Sequence, residues 1–288
     1  MIDISVIVCS KRASHLDSLK SNIEDTIGCP YELIVLDNSN SEYSIFSAYN
    51  LGIERSRGNI LCFIHEDVLF HTPDWGGKLK NIFSQNFQTG IVGVAGSKII
   101  SEIPSGWWEQ PSTALVKNIL QHRPDGRVEL LTGGFEDGKE QEVAVIDGVF
   151  MCLRRDSRIN FNKNLEGFHN YDQSVCLDYL KKNYKVLVTN QILLEHFSNG
   201  TIDSRWLNAT YNFHKLYKKH LPKIIGDAEL GNKERVRQIS RFIFHCKNTG
   251  NAKLAFKFWL KLLKNEPLHP ENKNHIRYFL NFLRTKLV

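Results

Sequence analysis

The run Ile60-Leu61-Cys62-Phe63-Ile64-His65-Glu66-Asp67-Val68-Leu69-Phe70-His71 constrains this chain more than any other stretch. It opens with five consecutive apolar residues, the pattern of a strand buried on both faces, and passes into imidazole and carboxylate side chains. A buried strand that delivers His65, Glu66 and Asp67 at its carboxyl end places chemistry at the edge of a parallel sheet. In open α/β sheets that edge is where ligands bind.

The residues before it supply the rest of such a sheet. Ile2–Cys9 is a continuous apolar strand, and Leu16, Leu19 and Ile23 recur at helical spacing until Gly28-Cys29-Pro30 stops the helix. Tyr31–Leu36 is a second strand, ending in Asp37-Asn38-Ser39-Asn40, and residues 42–55 fit a second helix. The first 70 residues therefore read as β-α-β-α-β, with polar clusters after each strand: Ser10-Lys11-Arg12, Asp37-Asn38 and His65-Glu66-Asp67. A helix starts after Thr72-Pro73-Asp74, and Ile91–Ala95 is a fourth strand. From Gly96 to Gly148 the pattern predicts shorter, partly antiparallel strands with long loops, including the adjacent Trp107-Trp108. Beyond Asp203 everything reads as helical, with segments near 232–247, 251–264 and 271–287.

With 288 residues, 42% of them hydrophobic, the chain can bury a full core. The N-terminus has Asp3 inside a short apolar run and is a poor signal peptide, no run reaches the roughly 20 apolar residues of a membrane span, and the six cysteines show no CxxC pair. A cytoplasmic protein with reduced thiols is the expectation. The net charge of +6 is uneven: residues 205–288 hold 18 Lys and Arg against 5 Asp and Glu, and the rest is acidic on balance. That divides the chain into an α/β unit over 1–204 and a basic all-helical region over 205–288. The basic region either contacts a membrane surface, peripherally at the inner membrane, or an acidic partner, or docks on the acidic body. No nucleic-acid motif accompanies it.

There is no Walker A loop and no G-x-G-x-x-G, so a phosphate group here would need a metal rather than a glycine-rich cradle. The order and spacing over about residues 1–200 resemble the family 2-type glycosyltransferases of the GT-A fold, a Rossmann-like mixed sheet flanked by helices that binds nucleotide sugars. The resemblance rests on the strands Val6–Ser10 and Glu32–Asn38, and on Ala48-Tyr49-Asn50-Leu51-Gly52 running through Arg57-Gly58-Asn59 into His65-Glu66-Asp67. The last triplet stands in the place of the family's D-x-D metal motif. Tyr171-Asp172 stands where the family has its acidic base motif, and the His-Glu-Asp triplet, Gly167-Phe168-His169-Asn170-Tyr171-Asp172 and a late His196-x-Ser198-x-Gly200 resemble a bacterial subgroup.

The resemblance implies a transferase moving a sugar from a nucleotide sugar, UDP-linked by preference, to a saccharide or lipid-linked acceptor, with inversion, in surface polysaccharide assembly. It implies Asp37 on the uracil or ribose, with Ser10, Asn38, Asn50, Arg57 and Glu66 also on the nucleotide sugar. It further implies Asp67 on Mn²⁺ or Mg²⁺ with His65 and His196, Asp172 as base, and Trp107, Trp108 and His169 toward the acceptor. Imidazole at the first D-x-D position suits Mn²⁺ better than Mg²⁺. Each role has a plainer counterpart: an Asx turn for Asp37, a helix cap for Asp172, a structural carboxylate for Glu66, structural imidazoles for His65 and His196, and packing for the tryptophans. The alternatives for the whole are a nucleotide-sugar-binding protein without turnover and a nucleotidyltransferase.

Overall fold

The structure is a computed structural model that describes residues 2–136, 138–198 and 200–286. Its first half follows the expected alternation: β1 (Ile4–Ser10), α1 (Ala13–Thr26), β2 (Tyr31–Asp37), α2 (Ile45–Arg55) and β3 (Ile60–Ile64). Residues of β1 and β3 are almost entirely sealed from solvent, which is why these segments carry no polar alternation. β1 lies between β2 and β3, parallel to both, with Ser10 opposite Asp37 and Val8 opposite Ile64. The three polar strand ends therefore stand side by side.

The apolar run Ile60–Ile64 is one fully buried strand, β3, but the stretch Ile60–His71 as a whole spans two. After Ile64 the chain leaves the first sheet, His65 N–H donates to the Val149 carbonyl at 3.1 Å, and the chain enters a second sheet as β4 (Val68–Phe70). His65-Glu66-Asp67 is thus a crossing between two sheets, where the polar side chains are only partly buried while most of the flanking apolar residues are sealed. α3 (Trp75–Gln85) follows, and the fourth strand makes a similar crossing, as β5 (Thr89–Gly93) and β6 (Ala95–Ser97) belong to different sheets.

The middle of the chain supplies β7 (Ile99–Ile100), the hairpin β8 (Leu115–His122) and β9 (Val128–Gly133), then β10 (Glu140–Val143), β11 (Val145–Ile146) and β12 (Phe150–Arg154). Next come α4 (Tyr171–Lys181), β13 (Lys185–Thr189), β14 (Leu194–His196) and α5 (Ser204–Leu216). Among the described residues, one sheet runs β10-β13-β5-β12-β3-β1-β2 and a second runs β11-β6-β8-β14-β4, with β9 paired to β8. β12 is antiparallel to β3, so the sheet is mixed.

The region after Asp203 is not wholly helical. β15 (Lys223–Ile224) pairs antiparallel with β7, because a short run between Pro222 and Gly226 cannot hold a helix but can add to a strand edge. α6 (Asn232–Asn248), α7 (Ala252–Asn265) and α8 (Glu271–Lys286) then pack around Phe242, Ile243, Phe258 and Leu262. α5 joins two cores: Trp206 and Leu207 lie in this helical cluster, whereas Phe213 and Tyr217 lie in the main core.

Candidate active site

Antiparallel pairing of β14 with β4 sets His196 opposite Val68, so a residue remote in sequence arrives beside Asp67. His196 Nε2 lies 3.8 Å and His65 Nδ1 lies 4.0 Å from Asp67 Oδ1, and one donor atom from each residue falls within 4.8 Å of the others. Burial opposes ionisation of Asp67, yet a hydrogen bond from Ser198 and the two imidazoles together hold its carboxyl below the usual range. Burial and the neighbouring His65 push His196 down, toward the neutral ring that a ligand requires.

Outer contacts orient both rings. Gln121 Nε2 donates to the carbonyls of Ser198 at 2.8 Å and His122 at 2.9 Å, which turns its Oε1 toward His196 Nδ1 at 3.0 Å. Nδ1 therefore carries the proton, and the lone pair of Nε2 faces Asp67. His65 Nε2 meets the Tyr171 hydroxyl at 2.8 Å, which leaves Nδ1 toward Asp67. Tyr171 is fixed by rings on α2, with centroids 5.6 Å from Tyr49 and 6.4 Å from Phe46. Its hydroxyl reaches His65 only because residue 148 is glycine: a Cβ there would lie 2.1 Å from that oxygen. Two imidazoles and a carboxylate are a donor set that suits a borderline cation such as Mn²⁺.

His65 and His196 open onto a cavity of about 590 Å³, and Asp172 lies on its wall. Asp172 is in the first turn of α4, whose cap is Asn170, so capping is not its role. Its Oδ1 accepts the Gln173 N–H at 2.8 Å. Burial, reinforced by the charge of Asp147, pushes the Asp172 carboxyl up to about 7, against partial compensation from the backbone N–H groups of Gln173 and Gly148. Asp147 is held in place by Trp107 Nε1–H at 2.8 Å and by the Val149 N–H at 2.8 Å. Trp107, Trp108, Phe168 and His169 complete this side of the cavity.

Another wall is the β8 hairpin. Alternate residues Leu115, Lys117, Ile119 and Gln121, and Arg123 just beyond the strand, all line the cavity, as one face of a period-two strand must. This wall, with Gln121 among its residues, was missed in the sequence, although the alternation in Leu115–Arg123 was the signal for it. Ser198, Asp147 and Tyr171 were likewise not singled out as site residues.

Other expected nucleotide contacts are placed differently. Glu66 is committed to the β1–α1 turn: its carboxylate accepts from Ser10 Oγ at 2.7 Å, Lys11 N–H at 3.0 Å and Arg12 N–H at 3.0 Å. It therefore fills the amino end of α1 that an anion would otherwise seek, and it ties up the Ser10 hydroxyl. Asn38 turns inward, bonded to the backbone of Tyr43 in both directions. Asp37 remains exposed at the end of β2, accepting the Ser39 N–H at 2.9 Å as an Asx turn. Asn50 clamps the Phe161 backbone through two hydrogen bonds of 2.9 Å. Arg57 precedes β3, at the sheet edge opposite to its reactive end, and pairs with Glu32 at 2.8 Å. Asn50 is thus bonded to backbone, and Arg57 stands at the edge of the sheet away from the reactive strand ends.

Cys62, Cys152, Cys176 and Cys246 are buried free thiols, and Cys9 and Cys29 are half-buried ones. No helix among the described residues is long and apolar enough to cross a membrane.

A search among curated proteins finds no relative of this chain. Among solved structures, GalNAc-T7 crystallised with UDP, GalNAc and Mn²⁺ superposes with a TM-score of 0.50 at 9% identity, over 76% of this chain and 48% of that one. The chain thus spans about half the length of that structure. The mannosyltransferase PcManGT from Pyrobaculum calidifontis, in complex with GDP-Man and Mn²⁺, gives a TM-score of 0.46 at 10% identity, covering 92% and 72% of the two chains. S. aureus TarS 1-349 with UDP-GlcNAc gives 0.44 at 10% identity, covering 94% and 74%. The mixed sheet flanked by helices is the GT-A fold of such transferases. The family model described as "Glycosyltransferase like family" matches residues 5–221, and the chain belongs to that family.

Proposed function

We propose that this protein is a metal-dependent glycosyltransferase that moves a sugar from a nucleotide sugar, UDP-linked by preference, to a hydroxyl of a saccharide or lipid-linked acceptor, with inversion. The observation that carries the reading is that His65 and His196, the two imidazoles clustered with Asp67, line the same cavity as the half-buried Asp172. Bound there, Mn²⁺ supplies Lewis acidity that offsets the charge of a leaving nucleoside diphosphate. His65, Asp67 and His196 hold it, and Gln121 and Tyr171 keep the two rings aimed.

Asp172, with a proton affinity near neutrality, is tuned to take a proton from a hydroxyl at physiological pH. As the acceptor oxygen bonds to the anomeric carbon, the bond from that carbon to the diphosphate oxygen breaks, and the acceptor proton passes to Asp172. Attack from the face opposite the leaving group inverts the centre. Asp37, exposed beside the Ser10 strand end, is the proposed nucleoside contact.

Within this reading the chain is a transferase unit over 1–204 with a basic helical region over 205–288. The product would enter surface polysaccharide assembly on the cytoplasmic side. Phe256 and Leu260 stand exposed one turn apart on α7 beside Lys253, Lys257 and Lys264, a surface suited to rest on anionic lipid at the inner membrane.

The test is a thermal-shift screen of nucleotide sugars with and without Mn²⁺, followed by transfer assays on Asp67→Asn and Asp172→Asn. Selective stabilisation by one nucleotide sugar only with metal, lost in Asp67→Asn, is the expected result. Tight binding with no transfer or hydrolysis in the wild type would make the protein a binding module, and no metal-dependent binding at all would remove the reading.

A further inference from the structure

A continuous set of contacts leads from α6 to the cavity. Residues 101–110 run along that helix and are bonded to it at several points. Ser101 Oγ donates to Gln238 Oε1 at 2.6 Å, Gln238 Nε2 donates to Gln110 Oε1 at 2.8 Å, and Arg235 Nε pairs with Glu102 at 2.7 Å. Ile103 is buried in the helical cluster rather than in the main core.

At the end of the segment stands Glu109, whose side chain is 3% exposed. Its Oε1 accepts from His245 Nε2 at 2.9 Å and from Arg241 Nε at 2.8 Å, and its Oε2 accepts from the Gly106 N–H at 2.9 Å. Burial alone would favour the neutral acid. The bond from His245, the Gly106 N–H and the Arg241 charge outweigh it and keep the carboxyl below its ordinary range. A charged carboxylate so enclosed holds its partners in one geometry, because losing any of them would leave a buried charge underpaired.

What this clasp holds is the aromatic wall of the cavity. Gly106, Trp107, Trp108 and Glu109 form a single tight turn. The Trp108 ring lies 6.2 Å from Trp206 of α5, which is edge-on to His245 at 5.5 Å, so the ring stack ends on the imidazole that binds Glu109. A Cβ on residue 106 would come within 2.5 Å of the Trp108 ring, and glycine lets that ring close over the turn. Trp108 and Phe168 are each 44% exposed, and both face the cavity. Trp107 uses its indole N–H to hold Asp147, the carboxylate whose charge acts on Asp172.

We propose that the C-terminal helices are part of the acceptor site: α6, acting through Glu109 as a positioning residue, holds the Trp107–Trp108 turn against which an acceptor sugar stacks. The proposal rests on the acceptor reading above. Indole faces offer a broad apolar surface to the C–H face of a pyranose, and that contact has value only if the rings do not move. Trp107 is anchored by the main core and by Asp147, whereas the more exposed Trp108 depends on the turn that the clasp on α6 holds.

The test compares the wild type with Glu109→Gln, Arg241→Ala and His245→Gln. Three quantities are measured in each: UDP binding with Mn²⁺, deuterium uptake across residues 101–110, and saturation-transfer NMR binding of the methyl glycosides of glucose, galactose and N-acetylglucosamine. Glu109→Gln is expected to bind UDP with Mn²⁺ within twofold of the wild type, to exchange faster over 101–110, and to bind glycoside at least fivefold more weakly. His245→Gln keeps a donor toward Glu109 and should retain most of the wild-type glycoside binding. Arg241→Ala removes only the partly exposed partner, so it carries the comparison if Glu109→Gln does not fold. Unchanged exchange and glycoside binding in a folded variant would overturn the proposal, as would a parallel loss of UDP binding, which marks a general structural role. If the wild type binds none of the glycosides, the acceptor reading itself fails and the proposal falls with it.

Discussion

Replacing Asp172 by Asn should stabilise the folded protein at alkaline pH while abolishing transfer. The Asp172 carboxyl is raised from 3.8 to about 7 by burial and by the charge of Asp147. A group that binds its proton more tightly folded than unfolded adds stability while protonated. That contribution is fully present below about pH 4 and is lost as pH rises through 7. At pH 8 the charged side chain therefore opposes folding by at most about 4 kcal/mol, from roughly three units at 1.36 kcal/mol each. Asp172 is half-buried, and an amide keeps the acceptor for the Gln173 N–H, so a gain of about 1–3 kcal/mol is the expectation. Chemical denaturation of metal-free protein at pH 5 and pH 8 reads it directly. The difference between variant and wild type should shrink to under about half by pH 5, where most wild-type Asp172 already carries its proton. A difference that is the same at both pH values, or larger at pH 5, would refute the raised proton affinity and with it the tuning argument for the base.

Other substitutions probe the metal cluster and its supports. Gln121→Leu removes the acceptor on His196 Nδ1 without touching a ligand, and should weaken Mn²⁺ binding by about 10–100-fold in calorimetry, with the fold intact by circular dichroism. Gly148→Ala brings a methyl group against the Tyr171 hydroxyl, so it should displace that ring from His65, lower Mn²⁺ affinity and destabilise by about 1–3 kcal/mol; wild-type behaviour would mean that Tyr171 does not orient His65. Arg57→Ala should leave UDP binding unchanged, because its side chain is 74% exposed on the far edge of the sheet, and a loss of affinity would contradict that placement.

Much of the first half was legible because its information is local. Continuous apolar runs ending in Asp37-Asn38 and His65-Glu66-Asp67, separated by helices of regular period, specify parallel strands with their polar ends on one edge. The composition of those ends, with no glycine-rich phosphate loop, pointed to carboxylates and imidazoles as the reactive groups. Asn50 and Arg57 show the limit of reading by motif. Both sit in a familiar spacing, yet one is used to clamp Phe161 and the other faces away from the reactive edge.

By itself, then, the sequence determined the β-α-β-α-β order of the first 64 residues, its buried strands and the residue types able to hold a metal or move a proton. Only the tertiary structure decided that the Ile60–His71 run splits between two sheets, that β14 delivers His196 to Asp67, and that Gln121 and Tyr171 aim the two imidazoles. It also decided that α6 reaches back through Glu109 to the tryptophans. The reason is physical. Periodicity and turn chemistry act over a few residues, whereas strand register and buried charge pairing join segments more than a hundred positions apart and depend on the whole core being packed.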